Sequence, residues 1–213
     1  MKFVNLMLKL IFTSAFSFLV FFDGIVFCQS DRIPSYEDET AYEVYSAVLS
    51  FEAGRQSKSK NFVIRRETLR NFGALLDVEP PSGTCLRPDA GSAKLIGPAV
   101  NDYVRVNKTK WQLQKKLKID IPYELVSSEN IISIINPLTE REDWKEFYKR
   151  YPNSNGFVDL SAVGFNADKS IAVVAFGRWC GGHCGEGGYY VLEKKNGKWV
   201  QLEWTGNRCS WIS

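Results

Sequence analysis

The chain has 213 residues, 45% of them hydrophobic and 24% charged, with a formal net charge of +3 at pH 7. That length is ample to bury one core. The charge is too near neutral to argue for a nucleic-acid partner, and no basic run is interleaved with aromatic residues.

Residues 1–28 read as an export signal. Lys2 and Lys9 precede an uncharged run over residues 10–22, shorter than the roughly 20 residues of a membrane span and suited to a secretory h-region. Cleavage near Cys28 and Gln29 places Val26 and Cys28 at the two small-residue positions of the site. An uncleaved anchor or a lipid on Cys28 is the competing reading, although bulky Val26 and Phe27 stand where a lipobox has small residues. Cleavage removes two lysines and one aspartate, so residues 29–213 carry +2 and four of the five cysteines. The expectation is a secreted or periplasmic protein that meets a membrane only through its signal or anchor. Residues 29–35 form a linker and residues 36–213 a single domain.

A first helix is predicted after Pro34, with Ser35 and Asp38 as a capping box, acids in the first turn and Gly54 as its stop. Ala41, Val44, Tyr45, Val48 and Leu49 recur at helical spacing and give it one buried face. Residues 61–66 suit a short strand and residues 68–76 a short helix, whereas the prolines of residues 79–88 exclude both. A second helix is predicted over residues 92–106, delayed or kinked by Gly97 and Pro98. Residues 111–117 and 123–126 are ambiguous, and residues 131–135 are a compact apolar run. A third helix over residues 139–151 would use Thr139 and Glu142 as its capping box and turn Trp144, Phe147, Tyr148 and Tyr151 inward. Asn107-Lys108-Thr109 is a glycosylation sequon, and the lysines at 115, 116 and 118 suit a solvated face.

Residues 157–165 and 170–179 are apolar, β-branched runs separated by Asn166, Ala167, Asp168 and Lys169, a hairpin composition. Residues 189–194 and 198–204 flank Asn196-Gly197, the strongest short-range hairpin signal, because a type I′ turn needs positive φ at both central residues. A four-stranded meander results. The predicted fold is α+β, with helices packed on a mainly antiparallel sheet that ends in this C-terminal β-meander.

Between the second and third of these strands lies CGGHCGEGG, residues 180–188, too rich in glycine to be helix or strand. An even count of four cysteines behind an export signal reads as two disulfides, which can be connected in three ways. Cys180 with Cys184 is favoured by the short glycine-rich spacing, leaving Cys85 with Cys209 to pin the proline-rich loop. Three kinds of chemistry compete with this structural reading. A redox role lacks the C-x-x-C spacing at a helix start. Zinc would need Cys180, adjacent His183 and Cys184, and Cys209 on one ion, with oxidation competing for the thiolates. Hydrolysis would have to use His183, the only histidine, with Ser161, Asp159 or Glu186, and no G-x-S-x-G, H-E-x-x-H or P-loop motif is present.

The remaining reading is a binding surface in which Trp179, His183, Glu186, Tyr189 and Tyr190 present polar groups and aromatic faces from a loop on a rigid sheet. No cofactor is implied. The expected function is therefore binding or interaction without catalysis, with a hydrolase or thiol enzyme using His183 or Cys184 as the alternative. YEVYSAVL at 42–49, SAVGFN at 161–166 and CGGHCGEGGYYVLEK at 180–194 resemble exported bacterial proteins of unknown function. That resemblance implies export and a cell-envelope setting, and carries no activity.

Overall fold

A computed structural model describes residues 32–55, 60–70, 86–136, 141–181, 184–203, 206–208 and 210–212. The signal at residues 1–28, the linker residues before Arg32, and Cys85, His183, Trp204 and Cys209 lie outside the described residues. The elements all belong to the unit Ile33–Ser213.

Helix α1 spans Glu39–Arg55 and begins later than the expected capping box, because Asp38 itself caps it: Asp38 Oδ1 accepts from Thr40 N at 3.0 Å. Ser35 takes no part in that cap and forms a β-bridge with Gln112 instead. The predicted face is buried, as Ala41, Val44, Tyr45, Val48 and Leu49 are all fully covered. Strand β1 follows at Asn61–Arg65. The next stretch corrects the sequence reading, since Thr68 is not helical and Leu69 bridges to Ser161; residues 71–76 lie outside the described residues.

A short strand β2, Leu86–Pro88, forms where prolines were expected to forbid one, by pairing with β11 at Gly206–Arg208 in a separate ribbon of two strands. Pro88 stands at its end, a position where the missing N–H is tolerated. Helix α2 covers Ala90–Val106, two residues earlier than predicted, because Asp89 caps it by accepting from Ser92 N at 2.8 Å. Pro98 is accommodated inside it. Tyr123–Val126 resolves to strand β3, and the apolar run after it divides between α3 (Ser128–Ile132) and β4 (Ile135–Asn136). β4 pairs with β5 at Arg141–Glu142, so α4 is restricted to Trp144–Arg150 and is capped by Asp143. Thr139 lies outside the described residues.

The last third of the chain contributes β6 (Ser154–Leu160), β7 (Gly164–Phe165), β8 (Ile171–Trp179), β9 (Glu186–Lys195), β10 (Lys198–Gln201) and β12 (Ser210–Ile212). The Asn196-Gly197 turn has φ of 49° and 76°, the double left-handed geometry that the dipeptide specifies. Among the described residues the main sheet has eight strands in the order β10-β9-β8-β6-β1-β3, with β12 against β9 and β7 against β8. β1 runs parallel to both β3 and β6, and the pairings from β6 through β10 are antiparallel. The architecture is α+β with the C-terminal strands adjacent.

Alternation along the strands gives each face its own core. Phe62, Ile64, Val158, Leu160, Val174, Phe176 and Leu192 pack against α1. On the other face Val173, Ala175 and Val191 meet Ile96, Ala99 and Tyr103 of α2, while Val63 and Phe157 meet Ile131 of α3 and Phe147 of α4. Asn107 ends α2 wholly buried, its Nδ2 donating to Tyr103 O at 2.9 Å and Ala162 O at 3.0 Å. The sequon is therefore closed to a glycan in the folded chain. The lysine cluster is solvated but not unpartnered, since Lys116 pairs with Glu37 and Glu39. Among the described residues no helix is long and apolar enough to cross a membrane.

Candidate functional site

The Cys180–Cys184 disulfide closes the glycine-rich loop, with the two Cα atoms 5.2 Å apart. Its start is fastened to α4: Tyr148 OH donates to Cys180 O at 2.9 Å, and Gly181 lies against the Trp144 indole. Gly181 has φ of +90°, and a Cβ there would sit 2.7 Å from Trp144 Cγ, so only glycine fits. The partners considered for a histidine base are occupied in the core. Asp159 forms a buried ion pair with Arg65 at 2.7 Å, and Ser161 Oγ accepts from Ala175 N at 2.8 Å while donating to Ala162 O. Cys180 and Cys184 spend their sulfurs on each other and are not thiolate ligands in this form.

The sequence-predicted binding residues separate across the sheet. Trp179 turns toward α4, where it is packed beside Phe157 and Trp144 and its Nε1 donates to Asp159 Oδ2 at 2.7 Å. Tyr189 sets its ring edge-on against Tyr103 of α2, with centroids 5.7 Å apart. Glu186 belongs to the opposite face, where its carboxylate receives Arg178 Nη2 at 2.9 Å. His183 lies outside the described residues.

On that opposite face the last turn of α1 meets β8, β9 and β12 around a cleft of about 360 Å³. Glu52, Arg55, Phe176, Glu186, Tyr190 and Ile212 line it, and Tyr189 borders it along the strand. Glu52 is 1% exposed, yet it carries a carboxylate. Arg55 Nη1 at 3.1 Å and the Tyr190 hydroxyl, which donates to the same Oε1, answer that charge. Burial pushes the Tyr190 phenol well above its ordinary range, and the Glu52 carboxylate raises it further. Glu52 in turn raises the Arg55 guanidinium, and Glu186 adds to the same effect more weakly. Burying a carboxylate is costly without such partners, so this corner is a polar network built into an otherwise apolar helix-sheet contact.

Sequence reasoning passed over Glu52 and Arg55. The available signal was Glu52 itself, an acid three residues beyond Leu49 on the face that otherwise reads as core. The arrangement can hold a small polar molecule by charge and hydrogen bonding. Among the described residues no cluster of three or more His, Cys, Asp and Glu suits a metal ion. Compared with protein-family models, with curated proteins and with solved structures, the chain matches none.

Proposed function

We propose that this is an exported, non-enzymatic binding domain whose ligand is a small, polar, charged molecule seated in the cleft at the end of α1. The observation that carries the reading is Glu52: a carboxylate 1% exposed, held by Tyr190 and Arg55 at the floor of a concave surface. A cleft of about 360 Å³ lies within the range of small-ligand sites, which fix orientation with a few convergent polar groups. Glu186 joins it from the start of β9. The rival reading, a hydrolase or thiol enzyme using His183 or Cys184, loses a free thiol at Cys184 to the disulfide and loses Ser161 and Asp159 to the core.

Export rests on the basic and apolar segments of residues 1–28 and is consistent with a cysteine bridge. The second expected bridge, Cys85 with Cys209, falls on residues outside the described ones. Mass measurement of the exported protein with and without reductant locates the mature N-terminus, detects a lipid and counts the bridges. Binding is tested by thermal-shift screening of amino acids, polyamines, sugar acids and short peptides, with calorimetry on each hit. A genuine hit binds wild type and is weakened in Arg55→Ala and Tyr190→Phe. A library that shifts nothing, or hits indifferent to both substitutions, would remove the cleft as the site.

A further inference from the structure

Cys180 is buried and Cys184 is exposed, so the bridge between them is approached from the Cys184 end. Behind Cys180 stands Arg178, whose Nη1 lies 3.2 Å from Cys180 Sγ. Its Nη2 holds Glu186, and its Nε has no hydrogen-bond partner among the described residues. The Arg178 side chain is only 12% exposed, so water screens its charge poorly at the sulfur. A neutral disulfide gains little from a cation against one sulfur. A thiolate gains a great deal, and a guanidinium beside a cysteine lowers its pKa and makes it a better leaving group.

We propose that the Cys180–Cys184 bridge is an exchange-competent disulfide that accepts two electrons from a dithiol reductant, with Cys184 as the attacked sulfur and Cys180 as the leaving thiolate. The inference goes beyond the cleft and does not depend on what the cleft binds. The reductant's first thiolate attacks Cys184 Sγ. A sulfur–sulfur bond forms between them as the Cys180–Cys184 bond breaks, and the electron pair departs on Cys180 Sγ against Arg178. The reductant's second thiolate then attacks its own first sulfur, closing the reductant's disulfide and expelling Cys184 as a thiolate. The dithiol is oxidised and the bridge reduced, and both cysteines take their protons from solvent. Cys180 stays in place throughout, because Tyr148 holds its carbonyl and the adjoining Gly181 rests on Trp144. The bridge thus acts as an electrophile, the reverse of the nucleophilic cysteine considered from sequence.

The experiment equilibrates the oxidised full-length exported chain with dithiothreitol and with glutathione buffers, quenches by alkylation, and reads the Cys180 and Cys184 peptides by mass spectrometry. The folded wild type is expected to be reduced without denaturant. Arg178→Gln should slow cleavage about tenfold and raise the Cys180 thiol in a thiolate-absorbance titration. Glu186→Gln, which leaves the guanidinium to the sulfur, should accelerate cleavage. Cys180→Ser should hold glutathione on Cys184 more readily than Cys184→Ser holds it on Cys180. A bridge cleaved only after unfolding overturns the proposal, as does wild-type cleavage by both Arg178→Gln and Glu186→Gln, or capture favouring Cys180. If Arg178→Gln fails to fold by circular dichroism, Glu186→Gln, which keeps the arginine, decides the matter by its sign.

Discussion

On the α2 side of β9, Tyr189 meets another ring, Tyr103, within a packed core; on the α1 side, its neighbour Tyr190 meets a carboxylate, Glu52, at the edge of a cleft. Both phenols are raised above their ordinary value, and burial is the largest cause in each. For Tyr190 the negative charge of Glu52 is a further cause. The two faces treat arginine–carboxylate pairs with the same contrast. Arg65 and Asp159 are sealed between strands under α4, whereas Arg178 and Glu186 are partly open to water. One face uses polar groups to hold a core in register, and the other leaves them addressable.

The largest break in that contrast comes from the sealed pair. Asp159→Ala strands the Arg65 guanidinium at 4% side-chain exposure and also removes the acceptor of the Trp179 indole. The expected loss is about 3–5 kcal/mol by chemical denaturation. Glu186→Ala, whose partner Arg178 keeps 12% side-chain exposure, should cost less, about 1–3 kcal/mol. Equal losses would mean that the faces do not differ as described.

Tyr190→Phe comes next, because it leaves a buried carboxylate with one partner fewer and should cost about 1–3 kcal/mol. The same interaction sharpens the comparison spectroscopically. A phenol whose folded pKa is raised contributes stability in full below the unfolded value of about 10, and that contribution is lost as the pH rises through the folded pKa. Glu52→Gln should bring Tyr190 ionisation down toward its neighbour's while leaving Tyr189 where it is. Ultraviolet titration of single-tyrosine replacements measures this, and an unmoved Tyr190 would contradict the carboxylate's part in it.

The smallest effect is on the acid side. Glu43 is held below the usual glutamate value of about 4.5, first by the Lys194 hydrogen bond, with Trp199 assisting. Its contribution is complete above about 4.5 and drains away as the pH falls through the lower folded value. Lys194→Met should flatten that part of the stability–pH curve, by little because the pair is exposed. An unchanged acid limb in the variant would assign that slope to other carboxylates.

Local chemistry made parts of this fold legible. Asn196-Gly197 needed no tertiary context to specify its turn, and the stripe from Ala41 to Leu49 announced a buried helix face. Where competing local signals were present, the sequence reading chose wrongly: Asp38 outcompeted Ser35, Asp89 started α2 upstream of Gly97-Pro98, and Asp143 took the cap expected at Thr139. Each aspartate reaches a nearby amide directly, which a capping-box pattern scored by its two ends does not reveal. The β2–β11 ribbon and the parallel pairing of β1 with β6 join distant segments, and no local propensity encodes them. The cleft was hidden for the same reason, since Glu52 lies in the last turn of the first helix and Glu186 begins β9. Pleat alternation could have separated Tyr189 from Tyr190, but only once the register of β9 was fixed.

The seating of β1 between β6 and the edge strand β3 bears on how the molecule acquires its shape. Asn61 to Arg65 finds partners only when Tyr123–Val126 and Ser154–Leu160 exist, and α1, made first, lies on strands made last. Contacts of such sequence separation lengthen the search for the native topology, because loop-closure entropy is lost before any pairing rewards it. A chain emerging from its N-terminus therefore keeps the apolar face of α1 uncovered until synthesis is nearly complete. Refolding slower than in helical proteins of equal length, and a need for protection during that interval, are built into the strand order.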